Sequence, residues 1–417
     1  MLDRVTLTLG RAFNRMAEMA VHWLRRRNPA YRAAFDRLFQ ARLERLAQFL
    51  INLRRPNEHL GIAEERELPG EQEIGREIAD VMSRFLRREY AGAIAERAGN
   101  TKTYGVVRAC FEVPELPREL RLGVFREPKT YRAWVRFAGP GPRVVDDIID
   151  HGILSIGIKL MGVEGEKLLD DESGTQDFTG ISSPTFTTPN AAENLKLQHH
   201  SYRGTPLLYF LNPFDSHLLD FIMQGIYSKA HGNPLELPYH SCVPYLYGEG
   251  RAVQYTVRPR VRDRTPVPRR PSPDYLREAM ARTLGREEVV FDFFVQFQTD
   301  AHRMPIENAS VIWPTKLSPE RRVATLRIPL QRFDSPAQLA FARNLSYNPW
   351  HSIPEHRPLG NQNRVRRHIY RETARVRREM NGEPHIEPTG DEKFEEAPAL
   401  GPRETGVAEA HAGRTPS

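Results

Sequence analysis

Residues 366–377 read Arg366-Arg367-His368-Ile369-Tyr370-Arg371-Glu372-Thr373-Ala374-Arg375-Val376-Arg377, and the rest of the chain is understood from this stretch. Neither Gly nor Pro interrupts it, which predicts a helix. Arg366 precedes Tyr370 by four residues and Thr373 follows it by three, so the three share one helical face. A guanidinium held beside a phenol favours the phenolate, because an opposite charge stabilises the ionised form. A phenolate is an anionic oxygen ligand suited to ferric iron. Taken alone, the stretch reads more simply as a basic amphipathic helix carrying one packed aromatic.

The 417 residues leave room for one large domain or two to three ordinary ones. A 40% hydrophobic and 27% charged composition suits a globular protein with a real core. Cys110 and Cys242 form no metal-binding or redox pair by spacing and read as small buried thiols. Residues 1–55 hold twelve Arg, no Lys and four acids (Asp3, Glu18, Asp36, Glu44), a local balance of +8 against +7 for the whole chain. The remainder is therefore near neutral, which argues against a nucleic-acid-binding body and for a basic N-terminal arm. No run of eighteen apolar residues predicts a transmembrane helix, and the first residues make a poor signal peptide. A cytoplasmic location is the expectation, with the arm as a means of peripheral membrane contact.

Residues 8–54 predict two amphipathic helices broken near Asn28-Pro29, fit to lie on an anionic membrane, to pair with another copy, or to pack on the protein's own body. Residues 56–70 read as a linker, and a helix follows across 71–96. From 103 to 331 short apolar runs alternate with Gly and Pro: Val106–Val113, Ala133–Phe137, Ile153–Leu160, Leu207–Phe210, Ala252–Val257, Val289–Gln298 and Ala324–Leu330. This pattern predicts a β-barrel or sandwich, with helical insertions near 214–230 and 273–284. After Ser335 helix returns. The division is an arm and linker over 1–70, a folded domain over 71–381 and a disordered tail over 382–417, rich in Gly, Pro, Glu and Ala.

Arg-x-x-x-Tyr-x-x-Thr, with Arg377 seven residues past the tyrosine, resembles the proximal helix of haem catalases. Further segments are similar to that family in the same order: Arg136-Phe137 in AWVRFAG, TQDFTGISSPTF ending at Phe186, PSPDYLREAMARTL before FDFFVQFQ, VIWPTKLSPERR, and LSYNPWHSIPEHRPLG. The resemblance spans most of residues 97–380. It implies an α+β fold, an antiparallel eight-stranded barrel with outer helices, to which this chain adds its N-terminal helical arm. It implies haem b bound by Tyr370, with Arg366 supporting the phenolate. Arg97, Arg136 and Arg377 would contact propionates, and Phe186 would lie over the macrocycle. Homo-oligomers built through extended arms are usual in that family.

Three departures bear on activity. The family's distal Arg-x-x-His appears as Arg97-Ala98-Gly99-Asn100, so Asn100 stands where the histidine is expected. Imidazole can take and return a proton near neutral pH, whereas a carboxamide only donates and accepts hydrogen bonds. Ile181 stands at the distal asparagine position, beside Ser182 and Ser183, and Ala138 stands at a serine position. Tyr104 is a candidate for supplying a phenol to the distal side, against the plainer reading of a core aromatic. His199, His200 and His240 read as turn or structural histidines. His151 beside Asp146, Asp147 and Asp150 lacks a second histidine for a metal site. His351, Glu355 and His356 read as parts of a Pro-rich turn. The leading reading is a haem protein acting on hydrogen peroxide or organic hydroperoxides with weakened dismutation. The alternatives are a lipid hydroperoxide isomerase or reductase of the allene-oxide-synthase type, and a haem-binding protein without turnover.

Overall fold

A computed structural model describes residues 2–29, 32–150 and 152–394. Its nine strands are β1 (Thr103–Val113), β2 (Lys129–Ala138), β3 (Ser155–Met161), β4 (Thr175–Ile181), β5 (Tyr239–His240), β6 (Tyr245–Leu246), β7 (Ala252–Pro259), β8 (Val289–Phe297) and β9 (Arg321–Ile328). All pairings are antiparallel in the order β5-β4-β3-β2-β1-β9-β8-β7, and β5 returns to pair with β7. Eight strands thus close a barrel. The short β6 extends along the free edge of β7.

Closure follows from strand alternation, which sends one residue in two to the interior. From β2 the inward set is Tyr131, Ala133, Val135 and Phe137; from β3 it is Ile156, Ile158 and Leu160. Phe111, Phe178, Tyr255 and Phe293 meet inside with ring centroids 5.0 to 6.0 Å apart. These rings fill the middle of the barrel, and the residues that alternate with them face the outer wall.

Helices cover that wall. In chain order they are α1 (Leu2–Arg27), α2 (Arg32–Phe35), α3 (Ala41–Arg54), α4 (Glu71–Glu89), α5 (Ala191–Arg203), α6 (Pro206–Leu211), α7 (Leu218–Tyr227), α8 (Tyr275–Leu284), α9 (Pro336–Asn344) and α10 (Asn361–Asn381). A π-helical turn, Asp36–Gln40, joins α2 to α3. α4 crosses α10 closely at Gly75, where a Cβ would sit 3.4 Å from the Val365 side chain.

Several elements differ from the sequence expectation. Leu207–Phe210 is helical, because Pro206 occupies the first turn, where its missing N–H costs nothing. His199 and His200 lie near the C-terminal end of α5, just before the turn at Gly204, in keeping with the reading of turn or structural histidines. The stretch 56–70 is tied down: Glu65 accepts from Gly360 N at 2.8 Å and pairs with Arg364 at 2.6 Å, at the start of α10. Residues 382–394, assigned by composition to a disordered tail, pack on the barrel. Trp134 Nε1 donates to Glu392 at 2.8 Å, and Phe394 packs edge-on against Trp134. His151 and residues 395–417 lie outside the described residues.

Candidate functional site

The outer faces of β2, β3 and β4 form a grid set by strand register. One row is Ala138, Ser155 and Ile181; the next is Arg136, Gly157 and Thr179; the third is Trp134, Lys159 and Asp177. Residues scattered over forty-odd positions of sequence thereby become neighbours about 5 Å apart. Gly157 is required at the centre, since a Cβ there would meet the Tyr347 ring at 2.7 Å.

α10 faces this grid. Arg366 donates to Tyr370 Oη from Nε at 3.1 Å and from Nη2 at 2.8 Å. The same guanidinium donates to Asn363 Oδ1 at 3.0 Å and reaches across to Thr179 Oγ1 on β4 at 3.2 Å. The tyrosine is thus held by a cation that is itself anchored at both ends. Burial pulls Arg366 down, but the phenols of Tyr370, Tyr245 and Tyr255 outweigh it and hold its pKa above the ordinary arginine value. Thr373 Oγ1 donates back to Ile369 O at 2.8 Å, so it serves the helix rather than the tyrosine ring.

Three further arginines gather at the other end. Arg97 and Arg377 both donate to the Leu345 carbonyl, and Arg377 also donates to Asn344 O at 3.1 Å. Arg136 donates to the Asn100 carbonyl at 2.6 Å and to Thr103 Oγ1 at 2.9 Å. Burial pulls Arg136 and Arg377 well below the ordinary arginine value, and like charge adds to it: Arg97 acts on both, and Arg136 on Arg377. The carboxylate facing this trio, Glu96, is already paired with Arg343 at 3.0 Å. Arg97 Nη1 and Arg377 Nε are buried without a hydrogen-bond partner. The arrangement can take an anionic oxygen group.

Asn100 has a left-handed backbone with φ 47°, a conformation that Asn, Asp and His tolerate better than other side chains. Its carbonyl, not its carboxamide, holds Arg136. Ser182 Oγ accepts from Leu154 N at 3.0 Å and Ser183 Oγ donates to Thr185 O at 3.0 Å, so both hydroxyls serve the loop. Tyr104 is fully buried within the barrel core, on the face opposite Thr103 and Arg136, with burial and Asp150 driving its phenol well above its ordinary value. It does not join the other candidates. Phe186 lies on the loop after β4, partly buried against the core.

Sequence reading misses the neighbouring charge cluster. Lys159, Glu172 and Asp177 have wholly buried side chains, with Lys159 Nζ 2.9 Å from Asp177 Oδ1 and also paired with Glu172. His351 Nδ1 lies 2.9 Å from Asp177 Oδ2 and its Nε2 3.3 Å from Asp171. Burial and Lys159 oppose protonation of His351, yet Asp171 and Asp177 prevail and raise it to about 9. A lysine ammonium already balances these carboxylates, so the cluster is an ion-pair box. His351, Glu355 and His356 do not converge: Glu355 faces Arg126 at 3.5 Å, and His356 accepts from Val124 N at 3.2 Å. His240 pairs with Thr256 at 3.3 Å.

No protein-family model matches the chain, and no curated protein does. Solved structures do. A fungal catalase aligns over 80% of this chain and 74% of its own, at 15% identity and a TM-score of 0.54. The fold is that of the catalases. A bacterial catalase aligns over 79% of this chain and 68% of its own, at 15% identity and a TM-score of 0.55. Catalase A from Saccharomyces cerevisiae aligns over 80% and 72%, at 14% identity and a TM-score of 0.56. The catalase-like barrel and its outer helices therefore stand on the three-dimensional likeness as well as on the sequence motifs.

Proposed function

We propose that the chain binds haem b between α10 and the outer wall of β2–β4, and acts there on hydrogen peroxide or organic hydroperoxides with weak dismutation. The observation that carries this is the arginine trio. Buried guanidiniums with orphaned nitrogens and like-charged neighbours are costly, and a bound carboxylate relieves both terms. Propionates are such groups, so Arg97, Arg136 and Arg377 fit haem, and Tyr370 beneath its Arg366 fork fits as the iron ligand. Bound there, haem supplies the redox-active ferric centre at which a peroxide O–O bond is broken.

What the protein's own residues add is limited on the peroxide side. Asn100 can orient an oxygen by hydrogen bonding but cannot carry a proton between two oxygens. Ser182 and Ser183 are engaged with the backbone, Ala138 and Ile181 offer no hydrogen bond to substrate, and the remaining hydroxyl of that row, Ser155 Oγ, donates to the Ala138 carbonyl at 3.3 Å. An apolar row suits an alkyl chain better than a second water-like oxygen. This favours organic hydroperoxides, including their rearrangement, over hydrogen peroxide.

The test is to purify the protein with haem supplied and record its optical spectrum. A ferric tyrosinate spectrum that disappears in Tyr370→Phe is expected, with faster turnover of cumene hydroperoxide than of hydrogen peroxide. Haem uptake with an unchanged spectrum in Tyr370→Phe would refute the proximal assignment. Uptake without turnover of either peroxide would leave a haem-binding protein and refute the enzymatic part.

A further inference from the structure

The N-terminal helices are mounted with an apolar face outward. Twelve large apolar side chains are exposed between residues 9 and 53, against eight in all the described chain beyond. On α1 the residues turned to the body are Gly10, Asn14 and Arg25. Asn14 accepts from Leu207 N at 3.3 Å, and Arg25 donates to Ser228 Oγ at 3.1 Å and to the Asp150 carbonyl. The outward face carries Leu9 at 66% exposure, Phe13, Met16 and Trp23 at 62%. α3 is apolar twice over. It buries Ala47 and Ile51 against Met223, Ile226 and Val311, yet leaves Leu46, Phe49 and Leu53 exposed at 57%, 63% and 69%.

A helix docked through its polar side has kept its apolar side for something else. Charge says what. Exposed Arg15, Arg27, Arg42 and Arg45 flank the two stripes, within a segment whose balance is +8. A second copy meeting this surface through the same patch would bring +8 against +8, a balance in which the four acids on each side are already counted. An anionic bilayer removes that repulsion, and its headgroup region accommodates aromatic and aliphatic side chains flanked by arginine. No helix among the described residues is long and apolar enough to cross a membrane, so the contact is interfacial. We propose that α1 and α3 seat the protein on an anionic lipid surface, with the barrel held beside it.

Flotation of the full-length protein with vesicles tests this, using phosphatidylcholine alone and phosphatidylcholine mixed with phosphatidylserine. Binding to the mixed vesicles alone is expected, falling steeply with salt, since each engaged arginine contributes about fivefold. Phe13→Glu/Trp23→Glu on one helix and Leu46→Glu/Phe49→Glu on the other should each lower partitioning by about tenfold or more. These positions are exposed, so circular dichroism should not change, and light scattering should give one molar mass for wild type and variants. Equal binding to neutral vesicles, or no flotation, would overturn the proposal. So would a wild-type oligomer that both glutamate pairs convert to monomer, which would show a second copy covering these stripes.

Discussion

Replacing Arg366 by leucine isolates what the guanidinium does for Tyr370. The side chain makes two bonds to one phenol oxygen, at 3.1 and 2.8 Å. Hydrogen bonds involving a charged group contribute about 1.5–3 kcal/mol each, and the lower figure applies because the two share an acceptor. Together they come to about 3 kcal/mol, which corresponds to about 150-fold in a dissociation constant. The expected outcome for Arg366→Leu is haem affinity weaker by about that factor, read by competition with a haem-scavenging protein. Arg366→Lys keeps the charge with one contact and should lose about tenfold. Thr179→Val removes only the bond to the sheet at 3.2 Å and should leave affinity within about threefold. A folded Arg366→Leu protein that binds haem as tightly as wild type, with the same spectrum, would refute the role given to this pair.

Asn100→His should raise peroxide turnover, by less than the about 10²–10⁴-fold typical of general acid–base catalysis, since Ile181 and Ala138 remain. Its left-handed backbone accepts histidine, so a folded variant with no gain in initial rate would show that another group moves the proton. His351 has a folded pKa of about 9, above the unfolded value of about 6.5, so the fold favours its protonated form. Its contribution, on the order of 3 kcal/mol, is whole below about pH 6.5 and is lost as pH rises through about 9. Denaturant midpoints between pH 6.5 and 10 should fall accordingly, and His351→Gln should flatten the profile. Lys159→Met leaves Glu172 and Asp177 buried without their cation and should cost about 3–5 kcal/mol, read from urea unfolding.

β2 is legible in the sequence because its inward set, Tyr131, Ala133, Val135 and Phe137, is apolar throughout. β4 escapes sequence reading because its inward cells are Gln176, Phe178 and Gly180, so the apolar face is broken on both sides of the phenylalanine. The pairing of Lys159 with Glu172 and of His351 with Asp171 depends on strand register and loop path, which no local spacing encodes. Tyr370 and Arg366 are legible because a helix alone fixes their separation. The Arg97, Arg136 and Arg377 grouping came from motif order, and only the fold brings them to one place. Tyr104 stands at a bulge: the register of β1 against β2 slips between Thr103 and Gly105, which turns Tyr104 into the core although Val106 and Arg108, of the same parity, face outward. α1 shows a similar limit, since periodicity reveals its faces but not which one docks.

The barrel's closure is uneven around its circumference. β1 and β2 pair along ten positions, whereas β4 meets β5 only at Ile181 and His240, and β5 meets β7 at two positions. Separating the wall at that seam breaks fewer ladder bonds than anywhere else around it. Amide hydrogens at 239–240 should therefore exchange well before those of β1 and β2, through local opening rather than global unfolding. Ile181 ends the row beside the site, so the wall of the site and the weakest joint of the barrel share a residue. Whatever enlarges that side chain's surroundings also works the joint, and a bulky substrate has at hand the one stretch of wall that can yield without unzipping the rest.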